Sequence, residues 1–429
     1  MKSLLLLLAA ATIAPLPSSA TAVGETVQLT PTLSAKVLTV NGDNHTVSVF
    51  ANPDNKPTGE LNIGNTYFIG LNNYRVVNIA AQGFVSCDLL TGVTVGADLN
   101  LIGTKAFYGC TKMAYFKENR PGSVEVLGDN SFGHTYALKT ISLPGVEFIG
   151  EYAFRMSGLT SASFPAVKTI SGAAFYECKN LEDFTGGELL STVGNIAFSQ
   201  CHPLKGVTLG RNLSTIGSMA FTFNEKMTQI VIPAGLKKMA ENPFQGSAIN
   251  RVFVLTPNFM DFCDESRALC NSNIRTVYCI PSLLTPIKNY FATGSAKNPA
   301  SSLPKAVVLP ITDVLDLQHK DGNRYAAVKK LDGITDLHVY DGVTGSEITP
   351  SGGFYTITGD NVRLSYRIDG INLLDYDMAI NNAGAVEGIE IDEDNSEAVY
   401  YNLQGIRIDN PGNGLYIRRT AKGSEVVRL

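Results

Sequence analysis

Seven cysteines and five histidines hold most of the capacity for metal or nucleophile chemistry in this 429-residue chain. Cys87, Cys110, Cys178 and Cys201 each stand three residues after a phenylalanine: Phe84, Phe107, Phe175 and Phe198. Thr135, Ser157, Asn224 and Ser247 stand at the same distance after four further phenylalanines. A column of small or polar residues suits a tight turn whose backbone groups need partners. One reading of the four thiols is a buried ladder of packed side chains. Another is a pair of disulfides between neighbours, Cys87 with Cys110 and Cys178 with Cys201, which export would permit. Cys263, Cys270 and Cys279 lie beyond this series, and the odd count leaves at least one thiol free. A metal site would call for C-x-x-C or a histidine-rich cluster, and neither occurs. His45, His134, His202, His319 and His338 are scattered, without zinc-ligand spacing. G-x-S-x-G and H-E-x-x-H are absent. Glu182-Asp183 reads as a solvated strand face. Gly352-Gly353 sits in a turn and opens no helix, as a phosphate loop must. The expectation is therefore no catalytic residue, no metal, no cofactor and no enzyme activity.

The elements that place these residues come from a repeat. Phe84, Phe107, Phe132, Phe154, Phe175, Phe198, Phe221 and Phe244 are spaced by 23, 25, 22, 21, 23, 23 and 23 residues. Self-similarity at such a period is the mark of a solenoid. Each Phe ends a recurring phrase, as in Ile102-Gly103-Thr104-Lys105-Ala106-Phe107, Ile149-Gly150-Glu151-Tyr152-Ala153-Phe154 and Ile216-Gly217-Ser218-Met219-Ala220-Phe221. About sixteen residues earlier comes a short alternating run, such as Leu138-Lys139-Thr140-Ile141-Ser142-Leu143 or Met227-Thr228-Gln229-Ile230-Val231-Ile232. Period-two alternation describes a strand with one buried face. Each repeat thus supplies one strand, one turn and one return segment, and must stack on its neighbours to bury its apolar side.

The Ile-Gly-x-x-Ala-Phe-x-x-Cys phrase resembles that of the BspA-like leucine-rich repeat family of bacterial surface proteins. Ile102 to Cys110, Val193 to Cys201 and Ile216 to Phe221 carry it, while 170–175 and 239–244 depart at the glycine. The resemblance implies a leucine-rich repeat solenoid, with a short parallel β-strand, a turn and an irregular or short helical return per repeat. It also implies adhesion to host extracellular matrix proteins or to another cell surface.

The remainder of the chain frames this array. Lys2, the apolar run from Leu4 to Ala14 and Ala20-Thr21-Ala22 describe a secretory signal peptide over 1–22, cleaved near Ala22. Export to the medium or outer cell surface follows. The run is too short to span a bilayer, and no other stretch is long and apolar enough. Residues 23–78 read as an N-terminal β cap with an Asn41-Gly42 hairpin, 79–248 as about eight repeats, and 249–310 as degenerate repeats and a C-terminal cap. Residues 311–385 read as a small β-sandwich-like module. Residues 386–398 form an acidic linker. Residues 399–429, with Tyr400-Tyr401-Asn402-Leu403-Gln404-Gly405 and Gly414-Leu415-Tyr416-Ile417, resemble a type IX secretion sorting segment.

Net charge is −5, which gives no electrostatic reason for nucleic-acid or anionic-membrane binding. In a leucine-rich-repeat solenoid the strands line the concave face, so binding is expected from their outward residues. Most are small and uncharged. Tyr115, Lys117, Asp183, Arg251 and Phe253 are the candidate contacts. The function expected is non-catalytic adhesion or protein–protein interaction; a glycan reader in 311–385 is the alternative.

Overall fold

The computed structural model describes residues 22–96 and 98–380, and the strand backbones of Val399–Tyr401, Arg407–Ile408, Leu415–Thr420 and Gly423–Arg428. The signal-peptide segment up to residue 21 and the acidic linker lie outside the described residues, as do the side chains of the sorting-like tail. The chain forms two compact units, Met1–Leu309 and Pro310–Leu429.

The first unit is a parallel β-solenoid. On one side of most repeats runs the longer strand predicted by the alternating pattern; the predicted run 204–209 forms only a single parallel bridge, Phe184 with Val207. Thr140–Ser142, Ser161–Phe164 and Asp183–Gly186 pair in parallel, with Thr140 opposite Ser161 and Ser161 opposite Asp183. Gly59–Ile63, Leu90–Val95 and Tyr115–Glu118 make a second parallel group. Gln229–Ile232, Arg251–Val254 and Thr276–Cys279 make a third, with Val307–Pro310 beside Thr276–Cys279. On the return side, two-residue strands stack in parallel from Leu101–Ile102 through Val126–Leu127, Phe148–Ile149, Thr169–Ile170, Thr192–Val193 and Thr215–Ile216 to Lys238–Met239. This stack begins inside the N-terminal segment. The hairpin Leu33–Asn41 with Asn44–Ala51 turns at Gly42, and its second strand pairs in parallel with Asn72–Ile79. The hairpin therefore covers the first rung by extending its sheet, which protects the apolar end of the stack.

The eight phenylalanines form a continuous column inside. Their ring centroids stand 5.0 to 6.1 Å apart, and the rings are nearly parallel, at 2° to 25°. Seven of them are fully buried and Phe244 is 2% exposed. Burying each contributes roughly 1.5–3 kcal/mol.

The backbone around each Phe has an unusual conformation. The residue two before it is left-handed in all eight repeats, at Gln82, Lys105, Asn130, Tyr152, Ala173, Ile196, Met219 and Asn242. The residue two after is left-handed too, from Ser86 and Gly109 through His134, Met156, Glu177, Gln200 and Phe223 to Gly246. Left-handed geometry costs a non-glycine residue about 1–2 kcal/mol. It is offset here by hydrogen bonds between rungs. Phe107 N–H donates to the Ser131 carbonyl at 2.7 Å, Phe132 to Ala153 at 2.7 Å and Phe154 to Ala174 at 2.7 Å. The same bond recurs from Phe175 to Ala197, from Phe198 to Ala220 and from Phe221 to Pro243, each at 2.8 Å.

Toward the end of the first unit, helices replace the regular return. Phe259–Ser266 ends at Arg267, which is left-handed and donates its N–H to the Cys263 carbonyl. Leu284–Thr293 ends at Gly294. The second unit holds two three-stranded antiparallel sheets, one of Leu315–Asp321, Arg324–Lys329 and Tyr355–Thr356, the other of Ile334–Asp341, Asn361–Ile368 and Asn372–Ala379. No helix among the described residues is long and apolar enough to cross a membrane.

Candidate functional site

The cysteine column is part of the turn. Cys110 Sγ donates to the Phe84 carbonyl at 3.0 Å, Cys178 Sγ to Phe154 at 3.0 Å, and Cys201 Sγ to Phe175 at 3.1 Å. Thr135 and Ser247 occupy the same position and donate to the carbonyls of their own Phe132 and Phe244, at 2.7 and 2.5 Å. All seven cysteines are free thiols. Burial and the Cys178 thiol hold the Cys201 thiol well above its usual range. The hydrogen bond from Cys110 lowers Cys87. No group of three or more His, Cys, Asp and Glu among the described residues could hold a metal ion.

The strand-face candidates fall on three separate sheets. Tyr115 folds back over Gly92, where a Cβ would lie 2.2 Å from the ring. That gap lets the ring reach the neighbouring strand; burial there, with a hydrogen bond to Glu60, raises its phenol. Lys117 Nζ lies 4.7 Å from the Tyr115 ring centroid. Asp183 is exposed and pairs with Lys205 at 3.3 Å. Arg251 Nη1 donates to Gln229 Oε1 at 3.2 Å. Phe253 differs from the expectation of an outward contact. It is 0% exposed and stacks on Tyr278 at 5.4 Å and 13°. Val231, opposite it in register, is 2% exposed. Apolar residues in this outward column are enclosed, whereas the polar ones at 140–185 line a shallow groove of about 230 Å³ with Ser142, Ser163 and Thr185 at its surface. Of the candidates, Tyr115 and Lys117 are brought into direct contact.

The sequence reading passed over a second surface at the turn edge. Its side chains flank the Phe column on several consecutive rungs. The Tyr108 ring lies over the backbone of Gly133, where a Cβ would stand 3.0 Å away. It meets His134 edge to face at 5.0 Å, and His134 Nδ1 is 2.7 Å from the Tyr136 hydroxyl. Burial, then the Arg155 charge, lowers His134. One rung further, the Arg155 guanidinium lies 5.7 Å from the Tyr152 ring and 5.8 Å from the Tyr176 ring. Arg155 Nε is shut off from solvent and has no hydrogen-bond partner. Gln200 Nε2 donates to the Tyr176 hydroxyl at 3.1 Å. Glu177 is engaged by Lys179 at 3.4 Å and by the Tyr176 hydroxyl. The signal was present in the sequence as Tyr, His and Arg one or two residues after the repeat Phe. It becomes a surface only once the rungs are stacked.

One short parallel strand and one turn per repeat, stacked around a Phe column, define a leucine-rich-repeat solenoid. Residues 77–204 and 147–275 match the BspA type leucine rich repeat region, in 6 copies. The array is similar to that family's repeat region over these residues, which make up less than half of the chain. A comparison with curated proteins finds no match. Among solved structures, the chain is similar to a leucine-rich repeat protein from Bacteroides ovatus, at 23% identity over 66% of this chain and 76% of that one, with a TM-score of 0.45. It is similar to a leucine-rich repeat protein from Eubacterium ventriosum at 17% identity, over 67% and 85% of the two chains, with a TM-score of 0.32. A T. pallidum leucine-rich repeat protein shares 22% identity over 44% of this chain and 91% of its own, with a TM-score of 0.30.

Proposed function

We propose that this chain is an exported, non-catalytic cell-surface protein that mediates adhesion or protein–protein interaction through its solenoid. The observation that carries the reading is the repeat array over 77–275, similar to the BspA type region and stacked so that each rung adds one strip of side chains to an extended surface. Such a surface binds by contact area and shape rather than by a reacting group. Tyr115, Lys117, Asp183 and Arg251 supply its strand-face contacts. The partner is a protein of the host extracellular matrix or of another cell. Delivery to the surface follows from the leader over 1–22 and the sorting-like tail over 399–429, which are features of the sequence.

The test is capture of immobilised matrix proteins by the mature chain beginning at Val23, run beside a glycan array. Saturable binding to a matrix protein is expected. Binding to glycans alone would transfer the function to the 311–385 module, and turnover of an ester, peptide or glycoside would overturn the non-catalytic reading.

A further inference from the structure

Arg155 is a part-buried cation that makes no ion pair among the described residues. Two tyrosine rings hold it, and its Nε is enclosed without an acceptor. Among the described residues no carboxylate forms an ion pair with it; the neighbouring Glu177 is taken by Lys179 and Tyr176. Enclosing part of a guanidinium without pairing it carries a desolvation cost. Nε itself is out of reach of an outside group, but Arg155 is only part-buried, so a carboxylate arriving from outside meets the rest of the guanidinium and forms charge-assisted hydrogen bonds with it. Beside it, Tyr108, His134 and the 52% exposed Tyr136 present apolar ring surface. Tyrosine and arginine side by side make up the usual composition of a protein-interface hot spot, which the strand face lacks.

We propose that this turn edge, centred on Arg155 and flanked by Tyr108, His134, Tyr136, Tyr152 and Tyr176, binds a protein segment that carries an Asp or Glu carboxylate next to an aromatic or aliphatic side chain. The carboxylate pairs with Arg155, and its apolar neighbour packs on the Tyr108 and Tyr136 rings. A peptide fits better than an acidic polysaccharide. The rings of Tyr108 and His134 cross at 64°, and those of His134 and Tyr136 at 86°, so they do not form the flat row that stacked sugar rings need. This deepens the protein-binding function above and rests on it.

The experiment selects random displayed peptides on the full mature chain, with a panel of uronic-acid oligosaccharides in parallel. Enriched peptides are expected to share an acid beside an apolar residue. Changing that acid to its amide, or Arg155→Gln in the chain, should weaken binding roughly tenfold, the usual scale of a charge-assisted pair. Tyr136→Ala should weaken it as well; this side chain is exposed, so it decides the matter if Arg155→Gln fails to fold, which a thermal melt will show. Lys237→Ala and Asp88→Ala, exposed and outside both surfaces, should leave affinity unchanged, and Lys117→Ala and Asp183→Ala report whether the strand face is used instead. Peptides without an acid, or equal binding to the Arg155→Gln chain, overturn the proposal. Binding that follows Lys117 and Asp183 instead overturns it and leaves protein binding by the solenoid standing. Uronate binding through Arg155 with no peptide enriched overturns the protein occupant. Enrichment of nothing on any surface overturns both readings.

Discussion

The thiol of Cys178 donates a hydrogen bond to the carbonyl oxygen of Phe154, 3.0 Å away on the preceding rung. Cys110 and Cys201 make the same contact, and Thr135 and Ser247 donate to the carbonyl of their own Phe, whereas Asn224 accepts from the Cys201 N–H. At the Cys178 position the side chain must be small enough for the turn and able to donate a hydrogen bond to a buried carbonyl, which Cys, Ser and Thr all do. Ser157 Oγ, one rung back, lies 3.4 Å from Cys178 Sγ and shares the site. Cys178→Ser should therefore cost under about 1 kcal/mol, and Cys178→Ala about 1 kcal/mol or more, because the donor is lost and a small void is left. Urea melts followed by circular dichroism separate the two. An equal loss for both would mean that volume alone selects the residue.

The recurring glycine answers to the neighbouring backbone. A Cβ on Gly194 would stand 2.5 Å from the Gly172 nitrogen and 2.6 Å from the Ser171 carbonyl carbon. Gly194→Ala should destabilise the array by roughly 1–3 kcal/mol, as overpacking does. Gly172→Ala is the internal control. Its nearest neighbour would be the Asn195 carbonyl oxygen at 3.5 Å, an ordinary contact, so little change or a slight gain is expected. Equal destabilisation by both would refute the close-approach explanation.

Asp264 ties the segment after the second helix to the first. Its carboxylate accepts from Ser295 Oγ, from Asn298 Nδ2 and, at 3.3 Å, from the Tyr290 hydroxyl. The Ser295 and then the Asn298 bonds hold its carboxyl below the usual aspartate range. A carboxylate with a depressed folded pKa contributes stability that is complete above its unfolded value and is lost as pH falls through the folded value. Melting temperature should thus be flat near neutrality and fall below about pH 4. Asp264→Asn should cost about 1 kcal/mol at pH 7 and flatten that acid limb, since hydrogen bonds to a charged acceptor exceed those to an amide. An unchanged acid limb would remove Asp264 from the account.

Thiol labelling tests the enclosure of the turn. Six of the cysteines are buried and Cys270 is half-buried. Burial raises Cys279 to about 11 and also raises Cys270, so even the accessible thiol reacts slowly near neutral pH. Brief alkylation of the native chain should mark Cys270 first, and all seven should react after unfolding in denaturant without reductant. If Cys87 with Cys110, or Cys178 with Cys201, resists alkylation in the unfolded chain until reductant is added, those pairs are disulfides and the reading of free thiols falls.

The periodic features were legible because a solenoid writes its core into one dimension. Phe at every 21 to 25 residues, Ile before the glycine and the small polar residue three after the Phe each keep one environment in every rung. The left-handed positions were not legible. They are filled by residues as different as Lys105, Tyr152, Ile196 and Phe223, because a backbone ladder and not a side-chain preference imposes the geometry. The N-terminal hairpin was visible at Asn41-Gly42, but its parallel pairing with Asn72–Ile79 was not, since no local pattern encodes a partner that distant.

By itself, the sequence determined that this chain stacks repeats around phenylalanine, and which residues of each repeat face inward, because the period and the apolar alternation are local and repeat themselves. Only the tertiary structure decided which outward residues meet. Arg155 lies between Tyr152 and Tyr176 although they come from different rungs, and Phe253 is enclosed against Tyr278 although its strand position faces away from the core. The physical reason is the stacking itself. It brings residues about twenty positions apart to within the few ångströms between neighbouring strands, and the contacts it makes depend on pairs of repeats rather than on any one.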